Sequence, residues 1–376
     1  MIVYKDKKYK FYEFFNNKNG FLIRSDSFDN HQNPTMRSFP ELLDIGIMGN
    51  CLVSELNICK NFGVDCYQKA KVMKRPNMAF NDYRQLLSQC TGKVFQIALG
   101  GAGDPNKHEQ FEAILKVTRE HHIVPNYTTS GYLLTESEAD ITKKYCGAVA
   151  VSFYSNFVNG MESNPDTINA INLFLKHGCL TNIHYVLSKK TISEAIYRLK
   201  NNIFPHGINA IIFLLYKPSG FGTENNTLSY ADTELKELIE IIDNTYFDYD
   251  IGFDTCFTPA LLTYSHSISF NSLDFCEAAR FSMYIDCELN AYPCSFDSTA
   301  KQYCVSLDNY SILNAWNSDV FNKFRNDQEH KCQQCEKHNY CLGGCALYKS
   351  IDICNKYEKT SQGAKPKDHH ECLEVK

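Results

Sequence analysis

The stretch Cys332-x2-Cys335-x5-Cys341-Leu-Gly-Gly-Cys345 packs four thiols into fourteen residues and constrains the fold more than any other part of the chain. So short a segment cannot bury a core of its own, and its two adjacent glycines permit a tight reversal before the last cysteine. Four thiolates gathered in this way hold a metal or an iron–sulfur cluster. A zinc ribbon is the competing reading, although such sites usually need two cysteine pairs at a longer separation. The 376-residue chain has 17 cysteines in all. Its opening, MIVYKDKKYKFYEFF, scatters charge instead of setting a basic patch before an apolar run, so no secretory signal is expected. A compartment that keeps thiols reduced points these cysteines toward metal ligation and away from a disulfide framework.

From about residue 93, short β-branched runs alternate with amphipathic segments, the pattern of a parallel sheet wrapped by helices. The expected strands are Lys93–Leu99, Ile123–Tyr127, Ala148–Phe153, Asn182–Leu187 and Ala210–Tyr216, with a further one at Leu43–Ile47. The expected helices are Phe111–His121, Glu136–Tyr145, Asp166–His177, Ser193–Asn201 and Asp232–Tyr246. About six βα units are too few for a closed eight-stranded barrel. The expected fold class is therefore α/β: a partial (β/α)6 TIM-like barrel with a small cysteine-rich, cluster-binding C-terminal domain. The expected boundaries are a hairpin and linker over 1–40, the barrel over 41–248 and the cluster domain over 249–376.

Chemistry in such sheets collects beyond the C-terminal ends of the strands. The first strand ends on Cys51, with Cys59 and Cys66 following, and three thiolates on one loop can hold three irons of a [4Fe–4S] cube while leaving the fourth open. A zinc knuckle is the alternative for these spacings. Gly100-Gly101-Ala102-Gly103 ends the second strand, where main chain can approach a ligand closely. Thr129-Ser130-Gly131 ends the third strand and Ser152 the fourth.

Together these residues resemble the radical S-adenosylmethionine (SAM) superfamily. The chain departs from the usual motif in two ways: both gaps between the three cysteines are longer, and Asp65 stands where an aromatic precedes the last. The resemblance implies a SAM-binding cluster on Cys51, Cys59 and Cys66, with Gly100, Gly101, Ala102, Gly103, Ser130 and Ser152 contacting SAM. The downstream cysteines resemble the SPASM extension of enzymes that act on peptides and proteins, with Leu289 in place of its glycine. That likeness implies two auxiliary [4Fe–4S] clusters, one on Cys256, Cys276, Cys294 and Cys345. The other takes Cys332, Cys335 and Cys341, closed by Cys372 with Cys354 as rival. Cys90, Cys146, Cys179, Cys287 and Cys304 fall outside the pattern and read as packing residues or spare thiols.

The resemblance thus implies an oxidoreductase that cleaves SAM reductively to a 5′-deoxyadenosyl radical and abstracts hydrogen from a peptide or protein side chain, as a ribosomal-peptide maturase does. It also implies a low-potential electron donor such as flavodoxin or ferredoxin. A branch that matures anaerobic sulfatases carries an aspartate directly after the cysteine matching Cys294; here that position is Ser295, which ranks this alternative lower. A non-catalytic iron–sulfur electron carrier is the rival of another class. A net charge of -5 gives no basic field for nucleic acid, and no apolar stretch is long enough to span a bilayer, so a cytoplasmic protein is expected. His184 shares a strand face with Asn182 and reads as a barrel-lining residue, whereas Trp316 reads as a core anchor.

Overall fold

Within Thr181–Leu187 the side chains of Ile183, Tyr185 and Leu187 are buried, while Asn182, His184 and Val186 between them stay half-buried. This period of two gives the strand one apolar face for helices and one face toward an open interior. The computed structural model describes residues 1–18, 20–329 and 332–355.

Three strands at the start, β1 (Ile2–Asp6), β2 (Phe11–Phe15) and β3 (Leu22–Arg24), form an antiparallel sheet where a hairpin was expected. It is anchored by Arg37, whose guanidinium donates to Glu13 at 2.7 Å and to the carbonyls of Phe39 and Lys93 at 2.8 and 2.6 Å, with both charged side chains fully buried.

The barrel strands are β4 (Leu42–Met48), β5 (Gln96–Gly101), β6 (Val124–Thr129) and β7 (Val149–Ser152). A short ribbon of β8 (Phe157–Val158) and β9 (Met161–Glu162) precedes β10 (Thr181–Leu187), β11 (Ala210–Leu215) and β12 (Asp250–Phe253). Parallel pairing runs β4-β5-β6-β7-β10-β11-β12. A helix lies between each consecutive pair, at Phe80–Leu87, Phe111–Glu120, Glu136–Tyr145, Pro165–Lys176, Ile192–Asn201 and Thr233–Asn244. Their ends follow local chemistry. Thr135 and Glu138 form a reciprocal capping box, and Asn164 caps the helix that begins on Pro165. Strand residues Ile45, Ile97, Val149, Ile183 and Ile211 join helix residues Leu86, Ile114, Ile171 and Leu235 in one core.

The six expected βα units are present, and the fold is the partial barrel. β12 adds a further parallel strand that the sequence does not predict; a four-residue strand containing Gly252 carries too little β-branched signal to be seen. On the other edge, β13 (Ser282–Ile285) pairs in parallel with β4, and β14 (Asn290–Tyr292) and β15 (Val305–Ser306) extend the same sheet antiparallel. Barrel and cysteine-rich segment are thus joined through one ten-stranded sheet. Trp316 is fully buried and its indole N–H donates to the carbonyl of Arg37 at 3.0 Å, the anchor role expected of it. No helix among the described residues is long and apolar enough to cross a membrane.

Candidate functional site

The loop after β4 carries Cys51, Cys59 and Cys66, and all three line one cavity of about 360 Å³ together with Val53, Asp65 and Phe221. Despite the long gaps between them, the structure brings the three cysteines together. Burial pushes the Cys51 thiol up to about 12 and Cys59 up to about 11, with Asp104 and the neighbouring thiols adding to the rise. Thiols that resist ionisation alone are suited to a cationic partner that holds them as thiolates. Tyr154 hydrogen-bonds Cys59 and also Ser152, tying the middle cysteine to the end of β7.

The glycine cluster at the end of β5 serves the same loop. Gly101 has φ of +118°, and a Cβ there would run into the Met48 carbonyl. A Cβ on Gly103 would strike the Asn50 carbonyl and come within 3.0 Å of the Cys51 Cα. The Ala102 N–H donates to Met48 O at 2.8 Å. Close approach of backbone to backbone, bringing the second strand end against the start of the cysteine loop, therefore accounts for these glycines. Asp104, which the sequence reading left without a role, accepts from the Ser130 N–H at 2.7 Å and from its hydroxyl at 2.5 Å. Ser130 thus links two strand ends.

The barrel interior is lined by Gln96, Ala98, Asn126, Thr128, Asn182 and His184, around a further cavity of about 340 Å³. Burial lowers His184 to about 4, so it is a neutral imidazole, with Nδ1 3.3 Å from the Thr128 hydroxyl.

A second thiol group lies at the edge between barrel and C-terminal segment. Cys256 follows β12 and hydrogen-bonds both Cys276 and Cys345, while Cys294 lies close enough to feel its charge. These are the four cysteines the sequence assigned to one auxiliary cluster. The hydrogen bonds from Cys276 and Cys345, with the ammonium of Lys217, hold Cys256 well below the usual thiol range, and its two partners are pushed up. Cys345 reaches this position because Leu342, Gly343 and Gly344 take successive positive φ values of 48°, 75° and 75°. Leu289, where the extension has glycine, also takes a positive φ of 62°, and Asp286 secures the turn by accepting from the N–H groups of Glu288 and Asn290 at 2.9 Å.

Cys332 and Cys335 share a turn, the Cys335 N–H donating to Cys332 O at 2.8 Å, and Cys341 ends the short helix His338–Cys341. Cys354 sits beside the buried Ile351 and Ile353, in a segment joined to the barrel by a bond from Tyr230 N–H to Asp352 O at 2.8 Å. Cys372 lies outside the described residues. Of the remaining thiols, Cys90 and Cys179 bond to helix carbonyls, those of Leu86 and Ala139. Among the described residues no three His, Cys, Asp or Glu side chains close around a point for a single ion.

Asp44 on β4, a residue the sequence did not single out, lies close enough for its charge to reach Cys294 and Tyr67. Its carboxyl bonds Ser295, next to Cys294, and burial pushes it up to about 7. The rings of Tyr67, next to Cys66, and Phe296 are 4.7 Å apart.

The fold is thus a partial barrel joined through one sheet to a thiol-rich extension. Residues 276–336 match the family model described as an iron–sulfur cluster-binding domain, SPASM. Comparison with curated proteins by sequence gives no match. Among solved structures the chain is similar to Streptococcus suis SuiB bound to S-adenosylmethionine, at 18% identity and a TM-score of 0.61 over 85% of this chain and 78% of that one. It is similar to SuiB bound to its precursor peptide SuiA, at 19% identity and a TM-score of 0.62 over 85% and 77%. It is also similar to anSMEcpe with bound AdoMet, at 18% identity and a TM-score of 0.58 over 86% and 95%. At such identities the likeness is one of fold.

Proposed function

We propose that this chain is a radical SAM enzyme that modifies a peptide or protein side chain. The observation that carries the reading is the convergence of Cys51, Cys59 and Cys66 on one cavity at the C-terminal end of the barrel, beside the strand-end turns of β5 and β6. Three soft donors with one coordination position left over fit a SAM-binding [4Fe–4S] cluster. Cys256, Cys276, Cys294 and Cys345 supply the donor set of an auxiliary cluster, and Cys332, Cys335 and Cys341 most of a second, closed by Cys372 or Cys354.

When bound, the first cluster supplies the low-potential electron that splits SAM into methionine and a 5′-deoxyadenosyl radical. The chain's own residues do the rest. Gly100, Gly101, Ala102 and Gly103 offer main-chain groups at the strand end, and Ser130 and Ser152 complete the rim for SAM. The neutral His184 and Thr128 line the interior as uncharged hydrogen-bonding groups. Asp44 is placed to hold a proton at its carboxyl on the side of the barrel facing Ser295. The C-terminal segment covers that side and limits access of water, which protects a radical from quenching.

A peptide partner is supported by the fold-level likeness to SuiB bound to SuiA and to anSMEcpe bound to the Cp18Cys peptide. A flavodoxin or ferredoxin would deliver the electron. The test is anaerobic reconstitution with iron and sulfide, dithionite reduction and assay of SAM for 5′-deoxyadenosine. Turnover with about twelve irons per chain, lost in Cys51→Ala and Cys66→Ala, supports the enzyme. A reducible, cluster-loaded protein that neither binds nor cleaves SAM establishes the electron-carrier alternative instead.

A further inference from the structure

The strand ends of β11 and β12 lie side by side, and each contributes one charged residue just beyond the sheet: Lys217 after β11 and Asp254 after β12. Their side chains form an ion pair that is 3% exposed at the lysine and 19% at the aspartate. The Asp254 carboxylate also accepts from the Leu215 N–H at 3.2 Å, and its Oδ1 has no partner among the described residues. The lysine ammonium sits 4.8 Å from the centre of the Phe296 ring. It lies against the Cys256 sulfur, and its charge reaches Cys345 and Cys294 as well.

Burying a lysine is costly, and a single carboxylate does not explain why the cation is aimed at a group of thiols. An iron–sulfur centre on four thiolates is anionic, and one-electron reduction adds a further negative charge to it. In a site of low dielectric, a fixed cation beside a ligand sulfur favours the reduced state, and a fixed anion disfavours it.

We propose that Lys217 and Asp254 are positioning residues that set the reduction potential of the centre held by Cys256, Cys276, Cys294 and Cys345, Lys217 raising it and Asp254 lowering it. This rests on the reading that those four cysteines hold a cluster. The pair gives the centre two opposed controls: the ammonium contacts the ligand sulfur, and the carboxylate holds the ammonium in place while offsetting part of its charge. Loss of the lysine leaves a carboxylate facing the centre, whereas loss of the aspartate's charge leaves the cation unopposed.

The experiment is a redox titration of the reconstituted full-length protein, poised with dithionite and mediators and followed by electron paramagnetic resonance, without SAM or peptide. In Lys217→Met the ratio of reduced to oxidised centre at fixed potential falls about tenfold, equivalent to ~59 mV for a one-electron couple. In Asp254→Asn it rises, Lys217→Arg restores most of the wild-type value, and the remaining centres do not move. The two opposite signs separate a charge effect from a folding defect, which would lower iron content in both variants. Unchanged midpoints, or shifts of one sign in Lys217→Met and Asp254→Asn at wild-type iron content, overturn the proposal. Iron per chain is also counted in Cys256→Ala. A count that does not fall by about four overturns the ligand reading beneath the proposal, and is distinguishable from failure of the tuning itself.

Discussion

The carboxyl of Asp44 meets the hydroxyl of Ser295 across the line where barrel and C-terminal segment join. Burial raises Asp44 to about 7, against an ordinary value of 3.8. Between those two values the folded protein holds a proton that the unfolded chain has released, so stability falls as pH rises from about 4 to about 7 and levels off above. The contribution is about 4 kcal/mol at 1.36 kcal/mol per unit. In Asp44→Asn this part of the pH dependence disappears, and chemical denaturation at pH 5 and pH 8 gives midpoints closer together than in the wild type. An unchanged pH dependence counts against a protonated Asp44.

Gly103→Ala puts a methyl group against Asn50 O and Cys51 Cα. Both neighbours are backbone, so the cysteine loop has to shift, at about 1–3 kcal/mol. The expected result is a lower melting temperature together with reduced iron loading and SAM cleavage. Normal loading would mean that the strand end and the loop move independently.

Cys59 is fastened to the end of β7 through Tyr154 and Ser152. Cys59→Ala is expected to lose about four irons per chain and all 5′-deoxyadenosine formation. Cys90→Ala, which removes a sulfur bonded only to a helix carbonyl, keeps both. Full iron content in Cys59→Ala would identify the middle cysteine as a bystander.

Arg37 gathers three parts of the molecule: Glu13 of the N-terminal sheet, the Lys93 carbonyl before β5 and, through its own carbonyl, Trp316. Its guanidinium also stacks over the Tyr4 ring at 3.8 Å. Arg37→Met leaves Glu13 charged and buried without its partner, at about 3–5 kcal/mol. Thermal melting should show a single large drop, and the double variant Arg37→Met with Glu13→Gln should recover part of it. Equal losses in the single and double variants would show that packing, and not the ion pair, holds the sheet in place.

The barrel was legible because each strand announces itself locally, through alternating residues such as Ile183, Tyr185 and Leu187, and each helix through its caps at Thr135 or Asn164. The cysteines were legible because few other reasons exist for thiols at such density. Asp44 and Lys217 were not, since a single charged residue in an apolar strand or just after one carries no pattern. Lys217 and Asp254 stand 37 residues apart in sequence, and only the pairing of β11 with β12 makes them neighbours. Leu289 shows the converse: its position demands a positive φ, but the residue type conceals the demand that glycine would have advertised.

The parallel pairing of β4 with β13 sets Asp44 opposite Tyr284, residues 240 positions apart. During synthesis the outer edge of β4 therefore leaves the ribosome long before its partner does, with Ile45 and Ile47 flanked by unpaired backbone. A contact of such sequence separation forms late and slowly. In the interval, the strand that leads into the cysteine loop is an exposed template for mispairing between nascent chains. Heterologous expression should therefore respond more to whatever shields that edge, such as slower translation or a holdase, than to iron supply.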